Sequence, residues 1–282
     1  MNAQGTKYYA KLDDIFKLKS SPQIMGILNI TPDSFFDGGR YTVEKNWLEQ
    51  TSTMLEQGAN IIDIGAYSSR PGANNISTQE EETRIIPVIK SVIKHFPAAI
   101  ISVDTFRAEI AKNAIEEGAL IINDISGGTM DDKMFSVVAK HNTPYILTHI
   151  QGTPQTMQSE PSYENITTEI KGFFNQNYAI LKELGHSKLI VDPGFGFGKT
   201  IDHNYELLSK LDEITAINLP VLVGISRKSM IYKLLNSSPQ EALNGTSITN
   251  TIALLKGAKI LRVHDIRQAK EAITIVQQLA IS

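Results

Sequence analysis

The sequence predicts an α/β protein folded as a single (β/α)8 barrel, the TIM-barrel architecture. Eight short apolar runs rich in β-branched residues recur along the chain, and segments with helical spacing separate most of them. Nearly every apolar run also ends in a polar residue or a glycine. Alternating strands and helices form βα units around a parallel sheet. Polar residues gathered at the strand ends favour a barrel, because barrel enzymes place their sites on that one face.

The elements follow one another along the whole chain. The predicted strands are Gln23–Ile30, Asn60–Gly65, Ala99–Thr105, Leu120–Ile125, Pro144–Ile150, Lys188–Asp192, Pro220–Ser226 and Lys259–His264. The predicted helices are Glu44–Gln57, Gln79–His95, Arg107–Glu117, Ile166–Leu184 and Ala269–Leu279. No interval between strand ends is long enough to hide another domain, so residues 1–20 form an N-terminal extension and residues 21–282 one barrel domain. An open doubly wound sheet is the alternative, since periodicity does not reveal ring closure.

Composition excludes several classes of function. The 282 residues are 41% hydrophobic, which supports a large core, and 27 Lys+Arg against 30 Asp+Glu give a net charge of −3. This balance disfavours non-specific binding to nucleic acids or anionic membranes. The absence of cysteine excludes disulfides, thiolate metal sites and a cysteine nucleophile. Apolar runs too short for a membrane span and a charged N-terminal stretch predict a soluble cytoplasmic protein.

The first two strand ends lead into loops that could act on a ligand. The loop after Asn29 carries two aromatic and two acidic residues over about 12 positions, which is long for a βα connection and typical of a lid. A simple turn is the alternative, because Asn, Pro, Asp and Gly are turn residues. The Asn29 amide oxygen suits Mg²⁺ when a substrate phosphate supplies the charge. Arg70, after the second strand, is placed to reach an anion, although a solvated loop arginine is the commoner case.

Three more strands end in an acidic or amide side chain. Asp104, Asn123 and Asp192 each close an apolar run, and buried carboxylates need partners. Capping of the following helix is the ordinary explanation for such an Asp. The glycine loop after Asp192 could present Phe197 to an aromatic ligand or be a plain turn. It is not a phosphate-binding P-loop, because Pro193 stands where that motif requires glycine.

The last two strands predict a cationic pocket. Arg262 and His264 lie two residues apart on one strand and therefore point to the same side of the sheet. Lys228 follows the neighbouring strand, and together the three could bind a phosphate or diphosphate. Taken alone, such an Arg–His pair would more often lie on the protein surface without binding a ligand. The other histidines show no metal-ligand spacing, and no nucleophile elbow is present.

Several long motifs occur together in the order of a known family. They are Met25-Gly26-Ile27-Leu28-Asn29-Ile30-Thr31-Pro32-Asp33-Ser34-Phe35, Asp192-Pro193-Gly194-Phe195-Gly196-Phe197-Gly198-Lys199, Ser226-Arg227-Lys228-Ser229 and Arg262-Val263-His264-Asp265. Over residues 23–280 the chain resembles the dihydropteroate synthases, the pterin-binding barrel enzymes that sulfonamides target. The resemblance implies a transferase that joins (7,8-dihydropterin-6-yl)methyl diphosphate to 4-aminobenzoate, releasing diphosphate and giving 7,8-dihydropteroate in folate biosynthesis.

The resemblance also implies residue roles. Asp104, Asn123 and Asp192 would bind the pterin, with Lys228 beside its ring. Asn29 would contact Mg²⁺, and Arg262 and His264 would hold the diphosphate. The first two loops, with Asp33, Ser69, Arg70 and Pro71, would close over the site and form the arylamine pocket with Phe197 and Ser229. The residues implied in catalysis itself are Lys228, Arg262, His264, Asp33 and Arg70.

Two departures from the family pattern accompany these expectations. Tyr67 stands where the family commonly has glutamate, which changes the local charge of the second loop, and Ile150 replaces a methionine but can still pack against a pterin. A homodimer through outer helices is expected by the same resemblance. The alternatives are a pterin-dependent methyltransferase, which needs no diphosphate clamp, and a non-catalytic pterin-binding protein. For the synthase, Lys228→Ala and Arg262→Ala should cripple turnover and leave the fold intact.

Overall fold

The predicted barrel is confirmed by the structure, a computed structural model that describes residues 12–30, 39–67, 76–157 and 159–279, with only the backbone for 39–44. Its strands are β1 (Gln23–Asn29), β2 (Ile61–Gly65), β3 (Ile100–Asp104), β4 (Ile121–Asp124), β5 (Tyr145–Thr148), β6 (Leu189–Asp192), β7 (Leu222–Val223) and β8 (Ile260–Val263). All neighbouring strands pair in parallel in the order β6-β5-β4-β3-β2-β1-β8-β7. One further parallel bridge, between Val191 and Val221, joins the two edges and nearly closes the ring.

Helices follow the strands around the outside. They are α1 (Gly39–Gln57), α2 (Thr78–His95), α3 (Ala108–Glu116), α4 (Met134–His141), α5 (Ile166–Glu183), α6 (Ile201–Ser209), α7 (Leu211–Thr215), α8 (Ser229–Leu234), α9 (Leu243–Leu255) and α10 (Ile266–Leu279). The sequence pattern missed α4 and α6–α9, most of which are short. It also made β7 too long, because residues 224–226 already form the turn towards α8. Among the described helices, none is long and apolar enough to cross a membrane.

Alternation along the strands divides the core into two parts. Every strand sends one apolar residue into the barrel interior at its lower end, and these pack together: Met25, Ile61, Ile100, Ile121, Ile146, Ile190, Leu222 and Ile260. The residues one position further along each strand face the helices and belong to the outer core: for example, Ile62, Ile101 and Val191 are almost fully buried there. Each strand is therefore buried on both sides, as parallel strands are.

The N-terminal segment closes the lower end of the barrel. Residues 12–16 are helical, and Leu12 and Ile15 pack on the apolar interior layer. Lys259, before β8, donates hydrogen bonds to the hydroxyl (2.6 Å) and carbonyl oxygens of Ser20. The described part of the predicted extension is thus continuous with the barrel core.

On six of the eight strands, the next inward position is polar and no longer apolar. Counting two residues beyond the lower layer, five strands place Asp63, Ser102, Asn123, Thr148 and Asp192 inside the barrel, and β8 places Arg262 there. All but Arg262 are at most 5% exposed. Polar groups this deeply buried need partners. The upper end of the barrel therefore differs in kind from the closed, apolar lower end.

Candidate active site

An arginine held by two carboxylates occupies the centre of the barrel mouth. The Arg262 Nε donates to Asp63 Oδ2 at 2.7 Å, and its Nη2 donates to Asp104 Oδ2 at 2.8 Å. Asn123 Nδ2 donates to the same Asp63 oxygen at 2.9 Å. The Asp63 side chain is fully buried, and those of Arg262 and Asp104 are 20% and 17% exposed. Four strands are thus joined by one hydrogen-bonded network.

Two carboxyl groups of this site, Asp104 and Asp192, have raised pKa values. Burial raises the pKa of Asp104 to about 7, although the charge of Arg262 acts in the opposite direction. Burial likewise raises the pKa of Asp192, against the lowering effect of Lys228. A ligand that donates hydrogen bonds to these oxygens would favour their charged forms. Asp104 and Asp192 are therefore suited to bind the donor edge of a flat heterocycle.

Lys228 reaches the same space from the start of α8. Its Nζ donates to the carbonyl oxygen of Phe195 and lies 4.4 Å from the centre of the Phe197 ring. Burial lowers the pKa of Lys228 to about 8, and the negative charge of Asp192 limits the shift. The ammonium is thus a buried cation beside an aromatic face, close to the carboxylate of β6.

The loop after β6 approaches its neighbours so closely that glycine is required. Gly194 has φ +71°, and a Cβ there would overlap the carbonyl oxygen of His149. A Cβ at Gly196 would lie 3.2 Å from Cδ of Lys228. The backbone N–H of Gly194 donates to Asp192 Oδ1 at 2.8 Å, which orients that carboxylate. The glycine run therefore lets this loop lie between the β5 loop and Lys228.

Some residues expected in the site lie at its rim. His264 is exposed, and its Nδ1 lies 3.0 Å from the Ser226 hydroxyl. Arg227 points away: its guanidinium forms two hydrogen bonds with Asp265, at 2.8 and 2.9 Å, and ties the β7 and β8 loops together. Ser229 is the first residue of α8, and Ile150 is half-buried after β5.

The loops that follow β1 and β2 are described only at their bases. The predicted residues Asp33, Ser69, Arg70 and Pro71 lie outside the described residues. Tyr67 precedes them and packs edge-on against Phe106, with ring centres 5.0 Å apart, while Gln155 donates to its hydroxyl at 2.8 Å. Tyr67 thus joins the bases of three loops, and the Arg107 guanidinium lies over its ring, 5.6 Å from the ring centre.

Asp63 was not recognised as a site residue from the sequence. Its signal was a single carboxylate among the isoleucines of β2, two positions after Ile61 and therefore on the inward face. Thr148 shares this signal on β5, and its buried hydroxyl has no hydrogen-bond partner among the described residues. Asp124, by contrast, is a buried carboxylate at a strand end that does not belong to the site. It accepts hydrogen bonds from Ser126, Gly128 and Tyr145 and shapes the β4 loop.

A metal ion would have one protein ligand among the described residues. Asn29 ends β1 with its side chain exposed, in phase with Met25 of the interior layer. The part of the chain that the structure describes holds no cluster of three acidic or histidine side chains able to chelate a cation. A single neutral amide oxygen fits Mg²⁺ only when a substrate diphosphate supplies most of the ligands. The donor set therefore fits a substrate-borne cation better than a resident one.

Comparison with known proteins agrees with this geometry. Residues 25–264 match the family model of the pterin binding enzymes. The dihydropteroate synthases of Escherichia coli K12 and of a Synechocystis strain are 43% and 42% identical, over 92% and 91% of this chain and 92% and 89% of their own. A crystal structure of Yersinia pestis dihydropteroate synthase with a sulfonamide drug superposes with a TM-score of 0.87 at 42% identity, covering 93% of this chain and 95% of that one.

A second solved structure extends this likeness to a ligand complex. Dihydropteroate synthase from Clostridium difficile in the presence of pteroic acid has a TM-score of 0.86 at 36% identity, covering 92% of this chain and 97% of that one. The matches span almost the whole barrel, including every strand that contributes to the polar mouth. The chain belongs to the pterin binding enzyme family.

Proposed function

We propose that the polar mouth of the barrel is the site at which this chain carries out the dihydropteroate synthase reaction. The activity is that of a transferase acting on small molecules: it joins (7,8-dihydropterin-6-yl)methyl diphosphate to 4-aminobenzoate and releases diphosphate. The observation that carries the placement is the ring of inward-facing polar side chains around Arg262. Asp104, Asn123 and Asp192 bind the pterin, and Lys228 lies beside its ring.

The reaction needs charge stabilisation more than proton transfer. The arylamine nitrogen forms a bond to the pterin methylene carbon, the bond from that carbon to diphosphate oxygen breaks, and the amine proton passes to solvent. The leaving diphosphate takes the electron pair. We assign its stabilisation to the cations of the mouth: Lys228, Arg262, His264 and Arg70. Arg262 is preorganised for this role because Asp63 and Asp104 hold its guanidinium in place.

The remaining substrate contacts are assigned to loops. Phe197 and Ser229 border the arylamine pocket, together with Asp33, Ser69, Arg70 and Pro71 from the first two loops, and Ile150 packs against the pterin. Asn29 would hold Mg²⁺ through its amide oxygen, and the ion, when bound with the diphosphate, would supply positive charge to the leaving group. Where the family commonly has a glutamate, Tyr67 supplies an aromatic ring at the start of the second loop.

Diphosphate release from the purified chain tests the proposed function. With dihydropterin diphosphate and Mg²⁺ present, we expect release to require 4-aminobenzoate, because the arylamine is the nucleophile. Chelation of Mg²⁺ should slow turnover without unfolding the protein, since the described residues provide no chelating cluster on which the fold could depend. Release that proceeds equally without the arylamine would contradict synthase activity. Unchanged turnover after chelation would contradict only the magnesium assignment.

A homodimer is proposed on the surface of the outer helices. Exposed apolar side chains form a row on α9, where Ile248 and Ile252 are 54% and 37% exposed and Leu255 is 59% exposed. The adjacent helix α10 adds Ile275 and Leu279, which are 63% and 62% exposed. Positions spaced by three or four residues lie on one helix face. A second copy of the chain would bury this row.

Sedimentation velocity tests the dimer. Ile248→Glu should convert the dimer to monomer, because two charges would be buried where the copies meet. Lys182→Glu, on the surface of α5, serves as the matched control and should leave the sedimentation coefficient unchanged. A wild-type chain that sediments as a monomer at micromolar concentration would refute the proposal. The cytoplasmic location expected from the sequence is also a proposal, and cell fractionation can check it.

A further inference from the structure

Lys199 is a buried lysine to which the proposed reaction gives no role. It follows the glycine loop of β6 and is only 3% exposed. In sequence it is the middle residue of a Gly-Lys-Thr triplet, whose Thr200 caps α6 by accepting a hydrogen bond from the His203 N–H. Burial lowers the pKa of Lys199 to about 7, which shows that the fold holds this ammonium at a cost.

The Lys199 ammonium connects two loops at the barrel mouth. Its Nζ donates to the carbonyl oxygen of Phe197 at 3.0 Å within the β6 loop. It also contacts His149, after β5, at the Nδ1 atom (3.1 Å) and the carbonyl oxygen (3.4 Å). Burial and the Lys199 charge lower the pKa of His149 to about 3, so the imidazole is neutral and Nδ1 can accept the hydrogen bond. All three donors of the ammonium are thus directed at the two loops.

The β6 loop, which Lys199 joins to the β5 loop, places Phe197 beside Lys228. The backbone at Gly194 and Gly198 lies against the β5 loop too closely for a side chain, so the two loops move together once joined. On its other side the β6 loop meets Lys228, through the Phe195 carbonyl and the Phe197 ring. Asp104 and Asn123 lie on neighbouring strands, where ladder hydrogen bonds hold them independently of this loop. Asp192 ends β6, and its carboxylate also accepts a hydrogen bond from the Gly194 N–H at the start of the loop.

From this arrangement we infer that Lys199 is a positioning residue for the arylamine half of the reaction: it fixes the β6 loop to the β5 loop and so holds Phe197 in the arylamine pocket. The inference rests on the proposed function, which places 4-aminobenzoate beside Phe197. Loss of the ammonium should therefore affect the two substrates unequally. Binding of the pterin should survive, whereas the arylamine should meet a displaced wall.

The test compares Lys199→Met with the wild type. Methionine keeps an unbranched side chain of similar length and removes every donor. We expect the KM for 4-aminobenzoate to rise about tenfold. The dissociation constant of dihydropterin diphosphate, measured by calorimetry with Mg²⁺, should change by less than about threefold. The matched control is Lys188→Met, at the residue directly before β6. It should change neither constant, because the Lys188 ammonium makes a single 3.4 Å contact among the described residues, with the Asn142 carbonyl.

A double-mutant cycle with Phe197→Ala separates positioning from general support of the fold. If Lys199 acts through Phe197, the second substitution should add little to the arylamine KM of Lys199→Met, because the contact is already lost. Additive effects, or equal losses for both substrates, would overturn the inference. Should Lys199→Met fail to fold, Lys199→Arg replaces it in the cycle, since arginine keeps the charge but displaces the donors.

The same cycle distinguishes this inference from the proposed function. An arylamine KM that does not respond to Phe197→Ala in the wild-type background would refute the arylamine pocket itself. A KM that responds to Phe197→Ala but not to Lys199→Met would leave the pocket in place and refute only the role of Lys199.

Discussion

Replacing Arg262 with alanine is expected to reduce synthase activity strongly and also to destabilise the barrel. The substitution removes a cation from the leaving group, which should slow turnover by about 10²–10³-fold. It also leaves the fully buried Asp63 and the mostly buried Asp104 without their cationic partner. Breaking a buried ion pair by removing one member costs about 3–5 kcal/mol. The sequence alone predicted an intact fold for this variant, because the two carboxylate partners were not visible in it.

Urea unfolding followed by circular dichroism measures this loss. The loss in the free energy of unfolding caused by Arg262→Ala should be smaller at pH 5 than at pH 8. Asp104 has a pKa raised in the folded state, so its contribution to the free energy of unfolding is present below about pH 4 and falls as pH rises towards 7. Without Arg262 this fall should extend to higher pH. Adding Asp63→Asn to Arg262→Ala should recover part of the lost stability, because one uncompensated charge disappears. An unchanged urea midpoint in Arg262→Ala would show that the ion pairs do not stabilise the fold.

Lys228→Met is expected to separate activity from stability. Turnover should fall by about 10²-fold, because a cation beside the pterin and the leaving group is lost. Stability at pH 7 should be equal to or above that of the wild type. The pKa of Lys228 is lowered in the folded chain, so the charged lysine is less favourable there than in the unfolded chain. Thermal unfolding beside steady-state kinetics would measure both effects.

The pH profile of the wild type gives the same assignment an independent test. With a lowered pKa of about 8, Lys228 loses its proton above that pH, and kcat/KM for dihydropterin diphosphate should fall there. Lys228→Arg keeps the charge to much higher pH and should lack this alkaline limb, whatever its absolute rate. A limb that persists unchanged in Lys228→Arg would assign it to another group, such as Lys199, whose pKa is about 7.

Two interpretations of the glycine loop after β6 were open in the sequence, and the structure combines them. The loop is a turn, because Gly194, Gly196 and Gly198 all have positive φ. It also presents Phe197 to a buried cation at the mouth. The sequence could not decide between turn and ligand wall, since glycine spacing reports backbone freedom and contains nothing about what packs on either side. His149 illustrates the same limit: it lies within the predicted strand Pro144–Ile150, but its pairing with Lys199 spans 50 residues.

The sequence by itself determined the eight βα units, their order and the strand ends at which polar residues gather. These features follow from local causes: β-branched apolar runs, helical spacing, and polar residues where strands end. Tertiary structure alone decided that Asp63 and Asp104 hold Arg262, since these contacts span 199 and 158 residues of chain. It also decided that the helical segment 12–16 closes the lower end of the barrel. Inward direction is readable from strand periodicity, but which inward side chains meet depends on register and barrel closure, and those are set by the packing of the whole ring.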